Sequence, residues 1–396
     1  MPLYAQHGHG KSDKLQEAIE NKSLDGVIFA ARNEQPDNLK AVVSELRGAT
    51  KNITLMVDPQ FYLSTFVPPR DRYLPKYPYY KAGRLKADFV GMKRLQEYSK
   101  STLDFQMVLG VDRLISPSVY VGSFEDRWFQ IALSLADASI NYHASLNKAP
   151  PLLLTFLIDE HAFASGQLVD DFLDQVTTWD VYGIYLIVAR NESTYSQRFD
   201  AVHFANLLYA AHVLGRINEL EVVVGYTDFC GLLLRAAGVR AIGTGWLQSA
   251  RRFHRGSFIQ KERGGRPARL RYASGPLLNS VLLSELEQIS DIGELESVLS
   301  GVSLDSEISE AASPESSGWN QRLSELQHWQ TLAKLDGEFS GKEKADVKKM
   351  DAAILLASTL YVRLQEEGVV FDRNTGGDHL QEWSDSLKVF CERAEL

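Results

Sequence analysis

The chain has 396 residues, with 42 Lys or Arg against 51 Asp or Glu and a formal net charge of −9. It has no apolar stretch of about eighteen residues and no basic, apolar leader of the signal-peptide type, so we expect a cytoplasmic protein. Its two cysteines, Cys230 and Cys391, lie too far apart in sequence to suggest a disulfide framework or a cysteine zinc site.

Short apolar runs recur along residues 1–250, and most are followed by a polar turn and a segment with helical periodicity. Continuous apolar runs are typical of parallel strands that are buried on both faces. The predicted strands are Leu3–Gln6, Gly26–Ala30, Ile53–Val57, Phe105–Leu109, Leu152–Ile158, Gly183–Val188, Glu221–Gly225 and Arg240–Thr244. The predicted helices are Asp13–Asn21, Asp37–Leu46, Glu125–Leu146, Gln167–Trp179, Phe199–Arg216 and Phe229–Ala237.

This alternation predicts an α/β fold, with residues 1–250 forming a (β/α)₈ TIM barrel. A doubly wound open sheet is the alternative, although such a sheet rarely needs as many as about eight parallel strands. Beyond the barrel we expect a basic loop and a barrel-associated helix over residues 251–300, including a predicted helix and turn at Pro276–Ser300.

The C-terminal part of the chain is predicted to be helical. Residues 301–318 are rich in Ser and Glu and indicate a flexible acidic linker. Helical segments at Trp319–Leu335, Glu343–Glu367 and Gly377–Ala394 predict a small helical domain over residues 319–396. We expect this domain to dock on the barrel, on a protein partner or on a second copy of the chain.

In a TIM barrel the active site lies at the carboxyl ends of the strands. Asp58 follows the third predicted strand, Asp159 and Glu160 follow the fifth, and Arg32 and Arg190 follow the second and sixth. If the protein is an enzyme, we expect Asp58 and Glu160, with Asp159 beside it, to supply the acid/base or nucleophilic carboxylates. The two arginines would then bind anionic groups of the ligand.

The eighth predicted strand ends in Gly243-Thr244-Gly245. Glycines at this point of a barrel let backbone N–H groups approach a phosphate. A tight turn that needs glycine for its backbone conformation is the alternative. The sequence therefore offers these three residues as a candidate phosphate site.

Two segments in which basic and aromatic residues alternate leave the same end of the predicted barrel. One is the long loop after the third strand, and the other begins at Arg251 and ends at Arg271. Such segments pair with phosphates and stack on bases, so they indicate binding of DNA, RNA or a nucleotide. The alternative is that the aromatic residues pack the loops onto the barrel. The residues expected to contact nucleic acid are Arg70, Arg72, Tyr73, Arg251, Arg252 and Arg255.

Two further motifs lie in the first loop. Ala5–Ser12, which includes Lys11, fits a permissive P-loop and would make the protein an NTPase. His7 and His9, together with His161, occupy positions at which metal-dependent barrel hydrolases hold ligands, but the sixth and eighth strands supply no matching ligand. We therefore expect no bound metal and no cofactor.

The stretch Val222–Asp228, followed by Leu232–Val239 and Ala250–Arg252, resembles the late barrel of tRNA-guanine transglycosylases. Asp58-Pro59-Gln60-Phe61 is similar to a shortened form of that family's base-binding loop, and the resemblance implies that Asp58 and Gln60 contact a base. The nucleophilic aspartate and the zinc cysteines of that family have no counterpart here. What the resemblance implies is a TIM barrel that works on nucleic acid, and not the base-exchange reaction.

The leading hypothesis is a barrel that binds a nucleotide or nucleic acid at the carboxyl ends of its strands. If it is catalytic, a transglycosylase-like or glycosidase-like reaction on a nucleic-acid-related substrate fits its carboxylates. The rival hypotheses are a non-catalytic scaffold subunit of a larger assembly and a P-loop NTPase.

Overall fold

The computed structural model describes residues 2–8, 13–50, 52–192, 196–259 and 269–396. Across these ranges the strands are β1 (Leu3–Gln6), β2 (Gly26–Ala30), β3 (Thr54–Asp58), β4 (Leu114–Ile115), β5 (Tyr120–Val121), β6 (Leu152–Asp159), β7 (Gly183–Arg190), β8 (Glu221–Gly225), β9 (Ala241–Gly245), β10 (Phe253–His254), β11 (Arg271–Ser274) and β12 (Asn279–Leu282). The long strands are buried along almost their entire length, as their continuous apolar composition predicts.

Within the described residues, eight parallel strands form a nearly closed barrel in the order β3-β2-β1-β9-β8-β7-β6-β4. A single bridge between Met56 and Arg113 joins β3 to β4 and brings the two edges together. The short strands β5 and β10 add to β6 and β7 at their carboxyl ends. The predicted TIM barrel is therefore confirmed.

Helices cover the outside of the barrel and continue beyond it. They are α1 (Lys14–Glu20), α2 (Pro36–Ala49), α3 (Met92–Leu109), α4 (Arg127–Ala144), α5 (Gly166–Val176), α6 (Ala201–His212), α7 (Gly231–Ala236), α8 (Leu283–Asp291), α9 (Leu295–Val298), α10 (Ser306–Ser309), α11 (Gln321–Gly337), α12 (Glu343–Glu366) and α13 (His379–Ala394). None of the helices in the described part of the chain combines the length and the apolar character that crossing a bilayer requires.

The prediction of the fourth strand is wrong. Phe105–Leu109 is the last turn and a half of α3, which ends at Gly110 in the left-handed conformation with φ 71°. The fourth strand of the barrel is instead β4, only two residues long. A short apolar run does not by itself distinguish a strand from part of a helix, and here Leu95, Thr102, Gln106 and Leu109 are buried at helical spacing.

The segment after the barrel differs from the predicted helix and turn at Pro276–Ser300. β12 and the turn that joins it to β11 in an antiparallel hairpin take up residues 276–282, and α8 begins only at Leu283. Residues 301–318, predicted as a linker, include α10, and Ile308 is fully buried. Whether residues 319–396 form a domain of their own stays a prediction.

Helix α11 packs between α1 and α7 and against β1. Its Trp329 indole Nε1 donates to the Thr244 carbonyl of β9 at 3.1 Å. Its Asp336 accepts from the Arg235 guanidinium of α7 at 2.6 Å, and both side chains are buried. α11 thus occupies the position that the helix after the eighth strand holds in a (β/α)₈ barrel.

Candidate anion-binding cleft at the barrel mouth

Four aromatic side chains close the centre of the barrel at the carboxyl ends of the strands. Phe253 and Phe258 stack with their ring centroids 4.4 Å apart. Tyr62 and Tyr226 meet the Phe253 ring edge-on at 5.6 and 5.4 Å. All four are buried, so we call them the aromatic plug. Stacked and edge-on rings of this kind stabilise the closed arrangement beyond the area they bury.

Asp58 lies beneath the aromatic plug and is fully buried. Its Oδ1 accepts from the Gln60 backbone N–H at 2.9 Å, and its Oδ2 accepts from the Tyr62 hydroxyl at 2.8 Å. The Tyr185 hydroxyl, from β7, also points to Oδ2 at 3.5 Å. Burial raises the pKa of Asp58 to about 7 in spite of these donors. Asp58 therefore offers no exposed oxygen for the catalytic or base-binding role expected of it.

Gln60 connects three strand ends around this carboxyl group. Its backbone adopts the left-handed conformation with φ 50°, an uncommon state for a residue other than glycine. Its side-chain Oε1 accepts from the Arg32 backbone N–H at 2.9 Å, and its Nε2 donates to the Tyr226 hydroxyl at 3.0 Å. The ends of β2, β3 and β8 are thereby held in one hydrogen-bonded network.

On one side of the plug lies a cleft of about 270 Å³, which we call the arginine cleft. The Arg32 guanidinium stacks over the Phe258 ring at 4.5 Å. Its Nε and Nη1 are buried and have no hydrogen-bond partner among the described residues. The cleft is lined by His7, Gly8, Arg32, Asn33, Gln60, Arg70, Arg72, Tyr226, Leu247, Ser249, Ala250, Gly256, Ser257, Phe258 and Ile259.

Within the described residues, the arginine cleft is positively charged and its arginines have no carboxylate partner. Burial, together with repulsion from Arg72 and Arg70, lowers the pKa of Arg32 to about 10. The pKa of Arg72 is also lowered, by partial desolvation and by Arg70. Among the described residues no carboxylate forms an ion pair with any of the three arginines. An anion in the cleft would therefore offset both the repulsion between these cations and the free-energy cost of burying them.

Two loops that are distant in sequence pair to build this cleft. Pro69 and Ile259 form an antiparallel bridge, and the Arg70 backbone N–H donates to the Phe258 carbonyl at 2.8 Å. The Tyr73 backbone N–H reaches the Arg32 carbonyl at 3.4 Å. The two basic-aromatic segments therefore meet at one mouth, as their positions in the predicted barrel indicate. Lys261, Arg263 and Arg266 of the second segment lie outside the described residues.

A second cleft, of about 630 Å³, lies at the ends of β6 and β7. The Arg190 guanidinium pairs with the Glu160 carboxylate at 2.7 Å, and both side chains are largely buried. The Asn191 backbone N–H donates to the other Glu160 oxygen at 2.6 Å. Asp159 accepts from the Tyr120 hydroxyl, and its Oδ1 lies 3.0 Å from the His161 ring Nδ1. Three predicted site residues, Asp159, Glu160 and Arg190, therefore lie together: Glu160 and Arg190 pair with each other, and Asp159 is held by hydrogen bonds.

The candidate phosphate site at the end of β9 is occupied by groups of the protein. The Gly243 carbonyl accepts from the Thr227 backbone N–H at 2.9 Å, and the Thr244 hydroxyl lies 3.1 Å from His328 Nε2. The Gly245 carbonyl accepts from Arg251 Nε at 2.9 Å. All three residues are buried within the strand. Their phosphate-binding role stays a prediction.

The three arginines after β9 have different surroundings. Arg251 is buried and binds the carbonyls of Gly245 and Trp246. Arg252 lines a small cavity of about 30 Å³ beside Arg190. Arg255 is exposed and lies over the Tyr120 ring at 4.9 Å. Of the three, Arg251 is buried, Arg252 is half-buried and Arg255 is exposed, so Arg255 is the best placed for an external contact.

The motifs of the first loop fall largely outside the described residues. His9, Gly10, Lys11 and Ser12 are among those not described, so the P-loop alternative and half of the histidine pair rest on sequence alone. His7 is buried against the rings of Phe29 and Trp246. No group of three or more His, Cys, Asp or Glu side chains within the described ranges is arranged to hold a metal ion.

One residue of the network was not predicted from the sequence. Tyr185 occupies the middle of β7 and projects its hydroxyl toward both Gln6 and Asp58. The available signal is a tyrosine within the otherwise apolar run Gly183–Val188. A buried tyrosine hydroxyl needs a hydrogen-bond partner, so such a position suggests a polar group inside the barrel.

Comparison of the chain with protein-family models and with curated proteins gives no match.

Proposed function

We propose that this protein binds a phosphate-bearing ligand, a nucleotide or a nucleic acid, in the arginine cleft. The observation that carries the proposal is the convergence of Arg32, Arg70 and Arg72 on one cavity without a paired carboxylate among the described residues. Guanidinium groups match the geometry of phosphate oxygens and donate two hydrogen bonds in parallel. A phosphate group would supply the charge and the acceptors that these side chains lack.

Several features of the surrounding surface support a nucleic-acid component over a simple inorganic anion. Tyr73 is partly exposed beside the cleft and presents a ring on which a base can stack. Arg255, which lies over the Phe66 and Tyr120 rings, adds an exposed cation at the carboxyl ends of the strands. The resemblance of Val222–Asp228, Leu232–Val239 and Ala250–Arg252 to tRNA-guanine transglycosylases also favours a nucleic-acid ligand. The cleft volume lies near the lower end of the range of about 300–1,000 Å³ that small-molecule sites occupy.

We propose binding in the arginine cleft and assign no reaction to it. Glycosyl transfer or hydrolysis in the arginine cleft would need a carboxylate or another nucleophile with an exposed atom. Asp58 is separated from the cleft by Gln60 and Tyr226, and Glu160 is paired with Arg190 in the second cleft. In this arrangement neither carboxylate stands beside the three arginines.

A non-catalytic scaffold is the second candidate function, and helix α12 favours it. Leu355, Leu356 and Val362 of α12 are 68, 70 and 54 % exposed. Apolar side chains on a helix surface are typical of contacts with a protein partner or a second copy. Mass photometry of the wild-type chain and of a Leu355→Ser, Leu356→Ser variant tests this idea. A dimer lost in the variant supports it, and identical monomers up to micromolar concentration contradict self-association.

The binding proposal is tested by titrating AMP, ATP and labelled single-stranded RNA and DNA into the full chain. In Arg32→Gln we expect affinity to fall about tenfold or more, because a hydrogen bond to a charged group contributes about 1.5–3 kcal/mol. Arg240→Gln makes the same charge change at an exposed position before β9, at the opposite end of the barrel, and should retain affinity. Equal affinities in wild type and Arg32→Gln would contradict the proposal.

A further inference from the structure

The geometry of the arginine cleft points to a terminal phosphomonoester as its ligand, and we infer that it discriminates against internal phosphodiesters. The ligand is then either a free nucleotide or the phosphorylated end of a nucleic acid. This inference rests on the proposed function, which it narrows to one class of phosphate group.

The cleft is closed on its inner side. The side chains of His7, Gln60 and Tyr226, which line it, are only 5, 1 and 8 % exposed, and Phe258 of the aromatic plug forms part of the same wall. Arg70 and Arg72, in contrast, are exposed. A ligand therefore enters past these two arginines and ends at Arg32. An internal phosphodiester continues into sugar on both sides, so it cannot reach Arg32 without a second exit for the chain.

The number of cations also fits a monoester better than a diester. A phosphomonoester carries a charge of about −1.5 to −2 at pH 7, whereas a diester carries one negative charge. Arg32 is largely buried and lies near the like charges of Arg72 and Arg70. Both conditions lower its pKa. A dianion offsets this repulsion more completely than a monoanion. The preference for a monoester therefore arises at Arg32, the innermost of the three arginines.

Hydrogen-bond geometry adds to the preference. A terminal phosphate presents three unesterified oxygens and a diester presents two. The buried Nε and Nη1 of Arg32 require acceptors that the described residues do not provide. Ser249 and Ser257 also line the cleft and can donate hydroxyl hydrogen bonds to the remaining oxygens. A group with three oxygens can bind all these donors at once.

The test compares matched ligands on the full chain by isothermal titration and fluorescence anisotropy. One set is AMP, adenosine and 3′,5′-cyclic AMP, in which the phosphate is respectively a monoester, absent and a diester. The other is one RNA oligonucleotide with a 5′-phosphate, a 3′-phosphate or hydroxyl ends. We expect AMP or one end-phosphorylated oligonucleotide to bind at least about tenfold tighter than its diester or hydroxyl counterpart. Which set shows the preference distinguishes a free nucleotide from a nucleic-acid end.

The variants separate this inference from the proposal beneath it. The preference for the monoester should disappear in Arg32→Gln and persist in Arg240→Gln. If Arg32→Gln is not folded, Arg70→Gln with Arg72→Gln, at exposed positions, replaces it. Suppose that phosphorylated and hydroxyl-ended RNA bind equally well and that the arginine changes weaken both to the same extent. That result would overturn the inference and leave the proposed function standing. Binding of no phosphate-bearing ligand would overturn both.

Discussion

Arg32 and Phe258 lie in contact although they come from opposite ends of the barrel sequence. The guanidinium carbon of Arg32 lies 4.5 Å from the centre of the Phe258 ring. Phe258 also stacks on Phe253 within the aromatic plug. The most buried cation of the arginine cleft is therefore held by the group that closes the barrel, and the shape of the cleft depends on the plug.

We expect Arg32 and Phe258 to be energetically coupled. A double-mutant cycle with Arg32→Gln and Phe258→Leu should give a coupling free energy of unfolding of about 0.5–2 kcal/mol, the range for a partly desolvated cation over a ring. Urea denaturation of the wild type, both single variants and the double variant measures it. Additive single effects would show that the ring does not hold the guanidinium.

Asp58→Asn tests the buried carboxyl group through the pH dependence of stability. The folded-state pKa of Asp58, about 7, lies above the unfolded value of about 3.9. The unfolded chain therefore loses its proton first, and the wild type loses stability as pH rises through the window between about 4 and 7. The asparagine stays neutral, so the variant does not lose stability in this way. Its free energy of unfolding therefore rises relative to that of the wild type as pH rises.

Denaturation midpoints at pH 4, 5, 6 and 7 measure this effect. Asp174→Asn, an exposed position on α5, is the matched control and should follow the wild type at every pH. A constant difference between Asp58→Asn and wild type across the range would show that Asp58 has an ordinary pKa in the folded protein.

Trp329→Ala tests whether α11 belongs to the folding unit of the barrel. Trp329 is fully buried, donates to the Thr244 carbonyl and meets the Trp246 ring edge-on at 6.0 Å. Its removal should lower the free energy of unfolding by about 3–5 kcal/mol, the cost of a large-to-small change in a core. The half-buried Trp179 provides a control, since Trp179→Ala should cost less. If Trp329→Ala unfolds the C-terminal helices while the barrel melts as in wild type, the two parts are separate units.

Glu160→Gln tests the charge pair in the second cleft. The change leaves the Arg190 guanidinium, which is only 7 % exposed, without its carboxylate. We expect a loss of stability of about 3 kcal/mol, because breaking a buried ion pair leaves an uncompensated charge. Glu338→Gln removes an exposed partner of Lys349 and should cost less than about 1 kcal/mol. Similar small losses in both variants would mean that Glu160 is available for another role.

The sequence places most of the strands because their signal is local. A parallel strand that is buried on both faces must be apolar throughout, and every predicted strand except the fourth lies within a residue or two of an observed one. The fourth is different, since β4 is too short to leave a pattern and the neighbouring apolar run at Phe105–Leu109 is the end of α3, where Leu109 is buried and Val108 is 70 % exposed. Periodicity alone does not separate these two cases.

What the sequence by itself determined is the barrel and the set of polar residues at its mouth. Which of those residues are open to a ligand was decided only by the tertiary structure. Phe253 and Phe258 lie over the mouth, where they cover Asp58 and leave Arg32 beside a cavity. Helix α11, from the C-terminal part of the chain, completes the ring of helices around the barrel. Strand and helix periods arise between near neighbours, whereas burial and charge pairing depend on contacts between segments that no local pattern relates.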